Sequence, residues 1–169
     1  IQFWYDDNKH EWRVSTLGAI TTGNVNELGF SFEELFKKHF DPWRHIITPL
    51  RMLEYTYLFE LCTTENRIVS CYSEDRIFIL GARCNEDGSY VKTLGSYHTY
   101  NGLDKLRTVA SLKEYAEQNS VDTDQCKNPE GFVIYEAYTS CPVGKLKNMR
   151  YILLHYAAGG DVFHSVNCI

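Results

Sequence analysis

The spacing of apolar positions divides the chain into short strands and a few helices. Residues 1–5 are apolar and aromatic, Asp6-Asp7-Asn8-Lys9 reads as a turn, and residues 11–16 read as the returning strand of a hairpin. Leu17-Gly18-Ala19-Ile20 continues that strand, and Thr22-Gly23-Asn24 breaks it. Ser31-x-x-Glu34 has the form of a capping box, and Phe32, Leu35, Phe36 and Phe40 repeat behind it at helical spacing. A helix over 31–40 follows, ended by Asp41-Pro42. From Tyr55 the pattern changes to strands. Tyr57-Leu58-Phe59-Glu60-Leu61 is an apolar run holding one acid, Thr63-Thr64-Glu65-Asn66 is a turn, and residues 67–72 form the next strand. Residues 76–83 are apolar between two arginines, and Asn85-Glu86-Asp87-Gly88 turns the chain into Tyr90-Val91. Ser111-x-x-Glu114 reads as a second capping box, opening a helix to about residue 118.

A hairpin closes this succession. Asn128-Pro129-Glu130 leads into Gly131-Phe132-Val133-Ile134, the chain turns near Ser140-Cys141-Pro142, and Val143-Gly144-Lys145-Leu146-Lys147 returns. Gly131 lets another group come close to the backbone. Residues 149–156 fit a strand or the start of a helix, stopped by Gly159-Gly160. The order is hairpin, helix, strands, helix, strands. That is an α+β fold with mainly antiparallel sheets and flanking helices, without parallel βαβ units.

Composition narrows the function classes. With 169 residues, 44% of them hydrophobic and 14% aromatic, the chain can bury a core as one sizeable domain or a compact two-lobed one. A net charge of -5 gives no bulk attraction for nucleic acid, so any such binding needs a local basic patch. No signal peptide is visible, and no apolar run approaches the roughly 20 residues of a membrane span. The six cysteines form no C-x-x-C pair, and neither they nor the histidines have zinc-finger spacing. Reduced thiols and no disulfide are expected, as in a cytosolic protein. No internal repeat is present. The absence of G-x-G-x-x-G and of G-x-x-x-x-G-K-[ST] argues against Rossmann and P-loop readings.

Charged residues inside or beside the apolar runs are the candidates for chemistry. Glu60 is costly to bury unless paired or hydrogen-bonded. It points inward if it shares a face with a buried Leu58, and otherwise faces solvent or pairs with Arg67 or Arg76. Functionally, it could accept hydrogen bonds from ligand hydroxyls such as those of a ribose. Arg67, Arg76 and Arg83 stand at strand ends, where solvated caps are the plain reading and bidentate phosphate contacts the functional one. Glu130 can ligate a hard divalent cation. Lys145 and Lys147, at i and i+2, point the same way on a strand and can neutralise phosphate, although Lys-x-Lys taken alone is usually a solvated edge strand. Two acids and a Lys-x-Lys on strands suit phosphoryl or nucleotidyl transfer, where catalysis is mostly positioning and charge stabilisation.

The same residues carry a family resemblance. Leu58-Phe59-Glu60-Leu61, with Glu65-Asn66-Arg67-Ile68-Val69 behind it, resembles motif III of the phage-type RNA ligase 1 family, where F-E is followed by N-R-I-V. Arg76-Ile77-Phe78-Ile79-Leu80-Gly81-Ala82-Arg83 resembles motif IIIa, and Glu130-Gly131-Phe132-Val133 resembles motif IV. Lys145-Leu146-Lys147, with Arg150-Tyr151 and Leu154-His155, resembles motif V. The four stand in family order over roughly residues 55–156. The resemblance implies a nucleotidyltransferase core, ATP-grasp-like, of the covalent superfamily of ligases and capping enzymes. It also implies ATP-dependent joining of RNA 5′-phosphate and 3′-hydroxyl ends, as in RNA repair, through enzyme–AMP and RNA–adenylate. On the same ground Glu60 binds the adenosine ribose, Glu130 holds the metal (Mg²⁺ or Mn²⁺), and Lys145 and Lys147 contact phosphates and act in catalysis. Arg67 and Arg83 are counted with the ATP-binding residues. The partners implied are ATP and RNA ends, with no membrane. The implied state is a cytoplasmic monomer in the interior of a phage-infected or host cell.

One departure bears on the chemistry. The family's nucleophile is the lysine of K-x-D-G, and no K-x-D-G occurs in residues 1–169. Lys9 is followed by His-Glu-Trp and Lys92 by Thr-Leu-Gly. In the family the motif immediately precedes a hairpin like that of residues 1–20, so the expectation is one nucleotidyltransferase domain truncated at both ends, its nucleophile upstream of Ile1. Leu17 stands where some members carry a lysine. The alternatives are a nucleotide- or RNA-end-binding module that has lost the chemistry, and a DNA ligase or capping-type enzyme.

Overall fold

The computed structural model describes residues 1–20, 29–44, 53–91, 108–119, 121–124, 126–127, 129–136, 138–139 and 141–157. The breakers Thr22-Gly23-Asn24 and Gly159-Gly160, and Cys168, lie outside them. The chain divides into two units, Ile1–Asn66 with Asp75–Tyr97, and Arg67–Glu74 with His98–Ile169.

Turn chemistry begins the first unit. The Asp6 carboxylate accepts hydrogen bonds from the amides of Asn8 (3.1 Å) and Lys9 (3.3 Å), folding the chain back on itself. Strands β1 (Gln2–Asp6) and β2 (Glu11–Ser15) then pair antiparallel from Gln2↔Ser15 to Asp6↔Glu11. Residues 17–20 do not continue β2. Thr16 and Ala19 exchange backbone hydrogen bonds at 3.0 and 3.4 Å, so Leu17 and Gly18 form a tight turn and Leu17 is 99% exposed.

Helix α1 (Phe32–His39) starts on the capping box that the spacing predicts. Ser31 Oγ accepts from the Glu34 amide at 3.2 Å, and the Glu34 carboxylate accepts from the Ser31 amide at 2.7 Å. Asp41–Trp43 follows as a 3₁₀ turn with Pro42 inside it, and the Trp43 indole donates to the Ile77 carbonyl at 3.1 Å. Strand β3 (Tyr55–Cys62) is central in a five-stranded sheet of order β2-β1-β3-β5-β6. Here β5 is Arg76–Cys84 and β6 is Tyr90–Val91, and every pairing is antiparallel. Gly88, with φ 72°, sits in the left-handed region that the β5–β6 turn needs.

One face of this sheet carries Phe3, Val14, Tyr57, Phe59, Leu61, Ile77, Ile79 and Ala82, packed with Leu35 and Phe36 of α1. Phe3 stacks on Trp12 and meets Phe36, Phe40 and Phe59 at ring distances of 4.5–6.5 Å. Fully burying side chains such as Phe36 and Phe59 is worth on the order of 1.5–3 kcal/mol each. The period-two alternation that turns Tyr57, Phe59 and Leu61 inward turns Glu60 outward, so its side chain is exposed.

The second unit has smaller sheets. Strand β4 is only Cys71–Tyr72, paired with β7 (Cys126–Lys127). The expected strand over 67–72 is thus confined to its last two residues, and Arg67 is an exposed loop residue instead of a strand end. Side-chain bonding in the preceding turn explains this. Asn66 Oδ1 accepts from the Thr63 amide (3.1 Å) and hydroxyl (2.8 Å), while its Nδ2 donates to the Leu61 carbonyl at 3.0 Å, holding the chain in a closed loop after β3.

Helix α2 (Val109–Asn119) starts earlier than the Ser111-x-x-Glu114 pattern suggests. The Ser111 amide donates to Thr108 Oγ1 at 3.1 Å and the Thr108 amide to Ser111 Oγ at 3.2 Å, so the reciprocal pair is Thr108–Ser111. Glu114 lies mid-helix and accepts from Gln118 one turn on. Strands β8 (Gly131–Tyr135) and β9 (Pro142–Lys147) form the expected antiparallel hairpin. Residues 149–156, readable as strand or helix, belong to helix α3 (Met149–Ala157). Asn148 decides this by capping: its Oδ1 accepts from the Arg150 amide at 2.9 Å and its carbonyl from the Ile152 amide at 3.0 Å. No helix among the described residues is long and apolar enough to cross a membrane. The five described cysteines are all free.

Candidate functional site

The β8–β9 hairpin builds the clearest charged constellation. Its register sets Lys147 opposite Gly131 and Lys145 opposite Val133, so the two lysines leave the same face of β9. Glu130 directly precedes β8 and is fixed by its own carbonyl, which accepts from the Asn148 amide at 2.8 Å. Its carboxylate Oε1 lies 3.3 Å from both the Lys145 and the Lys147 ammonium. Acid and bases therefore meet at one point, as Glu130 before a strand and Lys-x-Lys on its neighbour imply.

Gly131 makes this approach possible. Its φ of 142° lies outside the range L side chains favour, and a Cβ there would run into the Leu146 carbonyl oxygen. Beyond the hairpin, the Lys147 ammonium sits 5.6 Å above the Tyr151 ring, and Tyr151 stacks on His155 at 5.8 Å. This aromatic support is not apparent from the residue pattern alone. Its only local signal is the four-residue step from Tyr151 to His155, which acquires meaning once α3 is known to be a helix.

Exposure separates the two lysines. Lys145 is 57% exposed and Lys147 33%, with Glu130 at 35%. Ion pairs this wet contribute about 0–1 kcal/mol to stability. The cluster carries two positive charges against one negative, on an accessible strand, and that excess suits an anion such as phosphate. One carboxylate beside phosphate oxygens is also a donor set that a hard divalent cation accepts.

The other predicted residues stand on other elements. Arg67 belongs to the second unit but lies in the loop before β4. Arg83 and Glu60 belong to the first unit. Arg83 is exposed, and its guanidinium donates to the Gly88 carbonyl at 2.8 Å, fastening the β5–β6 turn. Arg76 opens β5, opposite Cys62. Glu60, opposite Phe78, stands on the sheet face that α1 does not cover, accessible to a ligand and outside the apolar core.

The chain is 28% identical over 153 residues to a protein of Autographa californica nuclear polyhedrosis virus that bears the name "Putative bifunctional polynucleotide kinase/RNA ligase". The match takes in 86% of this chain and 21% of the viral protein, so the chain spans about a fifth of its relative's length. The likeness is to a protein named for RNA ligation. No protein-family description matches the chain, and no solved structure does.

Proposed function

We propose that these residues form the nucleotidyltransferase domain of an ATP-dependent RNA ligase. The observation that carries the reading is the meeting of Glu130, Lys145 and Lys147 on one hairpin, in a chain similar over most of its length to a viral protein named for RNA ligation. In this reading Lys145 and Lys147, roughly 6–7 Å apart by strand rise, each take a phosphate oxygen of ATP or of the adenylate formed from it. Without nucleotide, Glu130 neutralises both ammonium groups and holds them together. Phosphate displaces the carboxylate from the lysines, and Glu130 is then the residue to hold Mg²⁺ or Mn²⁺. The ion, when bound, supplies further charge neutralisation at the phosphates. Tyr151 restricts the Lys147 ammonium through its ring face, which lowers the ordering cost of binding. Glu60, exposed on β3 in the first unit, has a carboxylate able to accept hydrogen bonds from hydroxyl groups. Arg67, free of any strand, is available to phosphate, whereas Arg83 serves the turn it fastens.

The nucleophilic lysine is assigned to a K-x-D-G motif in a longer protein. Chain 1–169 by itself therefore binds ATP or AMP and retains no covalent AMP after denaturation. A longer protein carrying K-x-D-G forms enzyme–AMP, and in it Lys145→Arg and Lys147→Arg each slow adenylyl transfer by about tenfold or more, about 1.4 kcal/mol in barrier. A guanidinium is a broad planar fork in place of a compact ammonium, which is why Arg does not substitute. Ala is at least as damaging. Single-turnover rates of enzyme–AMP formation, and of AMP transfer to 5′-phosphorylated RNA, measure this. Wild-type rates in all four variants would return the hairpin to a solvated edge.

A second reading is a binding module of the same fold without the chemistry. The lack of K-x-D-G in residues 1–169, and Leu17 at a position that is lysine in some family members, favour it. ATP binding without enzyme–AMP formation by the longer protein would establish it. A DNA 5′-phosphate accepted in place of RNA would point to the DNA ligase branch.

A further inference from the structure

A second cluster of charged side chains lies in the first unit. His39 ends α1, Glu65 follows β3 and Asp75 precedes β5. One ligand-capable atom from each lies within 4.8 Å of the other two, and all three residues are half-buried. Asp75 is held in place: its Oδ1 accepts from the Thr64 amide at 2.8 Å and the Thr64 hydroxyl at 3.2 Å. Its second oxygen is left toward His39, with Oδ2 4.0 Å from Nε2. That gap is too long for a hydrogen bond.

His39 supplies an independent observation. Its Nε2 is buried and has no hydrogen-bond partner among the described residues, and only 17% of the side chain is exposed. In the neutral ring with a lone pair at Nε2, the nearest group is a carboxylate, which when ionised can only accept. In the charged ring, the Nε2 proton faces Asp75 Oδ2 across 4.0 Å, an ion pair without a hydrogen bond. A metal ion satisfies both groups, taking the Nε2 lone pair and carboxylate oxygen together.

We propose that His39, Glu65 and Asp75 bind one divalent transition-metal ion of the Zn²⁺ class, with a fourth position open to water. An imidazole with two carboxylates selects such an ion over Mg²⁺, which seldom takes nitrogen. Small side-chain rotations bring the ligand atoms to about 3.3 Å from one another, the spacing that zinc bonds of about 2.0–2.2 Å set in a tetrahedron. Thr64 orients Asp75, as outer partners commonly orient a metal-binding carboxylate. Lys38 is the competitor. Its ammonium lies 2.8 Å from Glu65 Oε1 and is largely exposed, so it can swing away when the ion enters. The ion ties the last turn of α1 to both ends of the segment that links β3 and β5.

The test uses the full chain titrated with Zn²⁺ alone, followed by calorimetry and by the ¹⁵N resonance of His39 Nε2. One equivalent binds, the Nε2 resonance moves on binding, and the melting temperature rises. His39→Gln and Asp75→Asn each weaken Zn²⁺ by at least tenfold. Lys38→Met tightens it, because the resident cation is gone. Glu130→Gln leaves it unchanged, which separates this site from the hairpin. Should a variant fail to fold, the Nε2 resonance of the wild-type protein decides by itself. An unmoved His39 resonance at saturating Zn²⁺, or wild-type affinity in both His39→Gln and Asp75→Asn, overturns the site. No tightening in Lys38→Met removes Glu65 from the ligand set.

Discussion

Gly131 shows how much one missing methyl group can arrange. Its backbone takes a conformation closed to most residues and lets the Leu146 carbonyl approach, which brings Glu130 beside the lysines. Gly131→Ala should destabilise the hairpin by more than about 1 kcal/mol and separate Glu130 from Lys147. Urea denaturation and amide exchange in β8 and β9 measure both effects, and an unaltered midpoint would mean that the approach is not needed. Glu65 makes a different residue-level statement. Its carboxyl is held down from 4.5 to about 2, first by the hydrogen bond from Lys38. As pH falls, the unfolded chain takes up the proton near 4.5 and the folded chain only near 2. The unfolded state thus gains protons first, and this contribution to stability, complete above pH 4.5, is lost between those values. Glu65→Gln should flatten that part of the stability–pH curve, measured with EDTA present. An unchanged slope would show that the pair contributes nothing.

Helix caps carry the argument at the level of elements. The pattern Ser31-x-x-Glu34 located α1 because the whole interaction spans four residues. The same logic misplaced the start of α2, since Thr108–Ser111 forms a competing reciprocal pair three residues earlier. For α3, Asn148 before an apolar run was the available signal, and it distinguishes helix from strand. Ser31→Ala and Asn148→Ala should each cost about 1 kcal/mol, within the range for lost caps. Asn148→Ala should also loosen Lys147, whose neighbour Tyr151 depends on the first turns of α3. Chemical denaturation reports the first effect, and the affinity for ATP that the proposed function expects reports the second. No loss in either measurement would separate the cap from the site.

For the whole molecule, buried apolar side chains are unevenly shared. Among the described residues the first unit holds the cluster of Phe3, Leu35, Phe36, Phe59, Ile79 and their neighbours, while the second buries Val69 and Ala116. Backbone amides of β3 and β5 should therefore exchange most slowly, and those of β8 and β9 faster by at least about tenfold. Equal protection by mass spectrometry would contradict this. Reductant should leave the unfolding midpoint where it is, because the five described cysteines are free and burial, with Asp122 and Cys71 nearby, pushes the Cys126 thiol up. A fall in the midpoint would reveal a disulfide.

Features that depend on a few neighbouring residues are legible along the chain. The first hairpin, the cap of α1, the Asn85–Gly88 turn and the shared face of Lys145 and Lys147 all follow from local hydrogen bonding and strand or helix period. Features that depend on partners far along the chain emerge on folding. Period two places Glu60 opposite Phe59, but which of the two faces inward was settled when α1 covered one side of the sheet. Arg83 became a turn fastener through Gly88, and Lys147 met Tyr151 only across the β9–α3 junction. His39, Glu65 and Asp75 meet because the antiparallel pairing of β3 and β5, which sets Cys62 opposite Arg76, returns Asp75 to the turn after β3, beside the end of α1. Local bonds act at fixed sequence separations and can be read along the chain. Faces and long-range neighbours depend on which apolar surfaces find each other on folding, and spacing alone does not encode that choice.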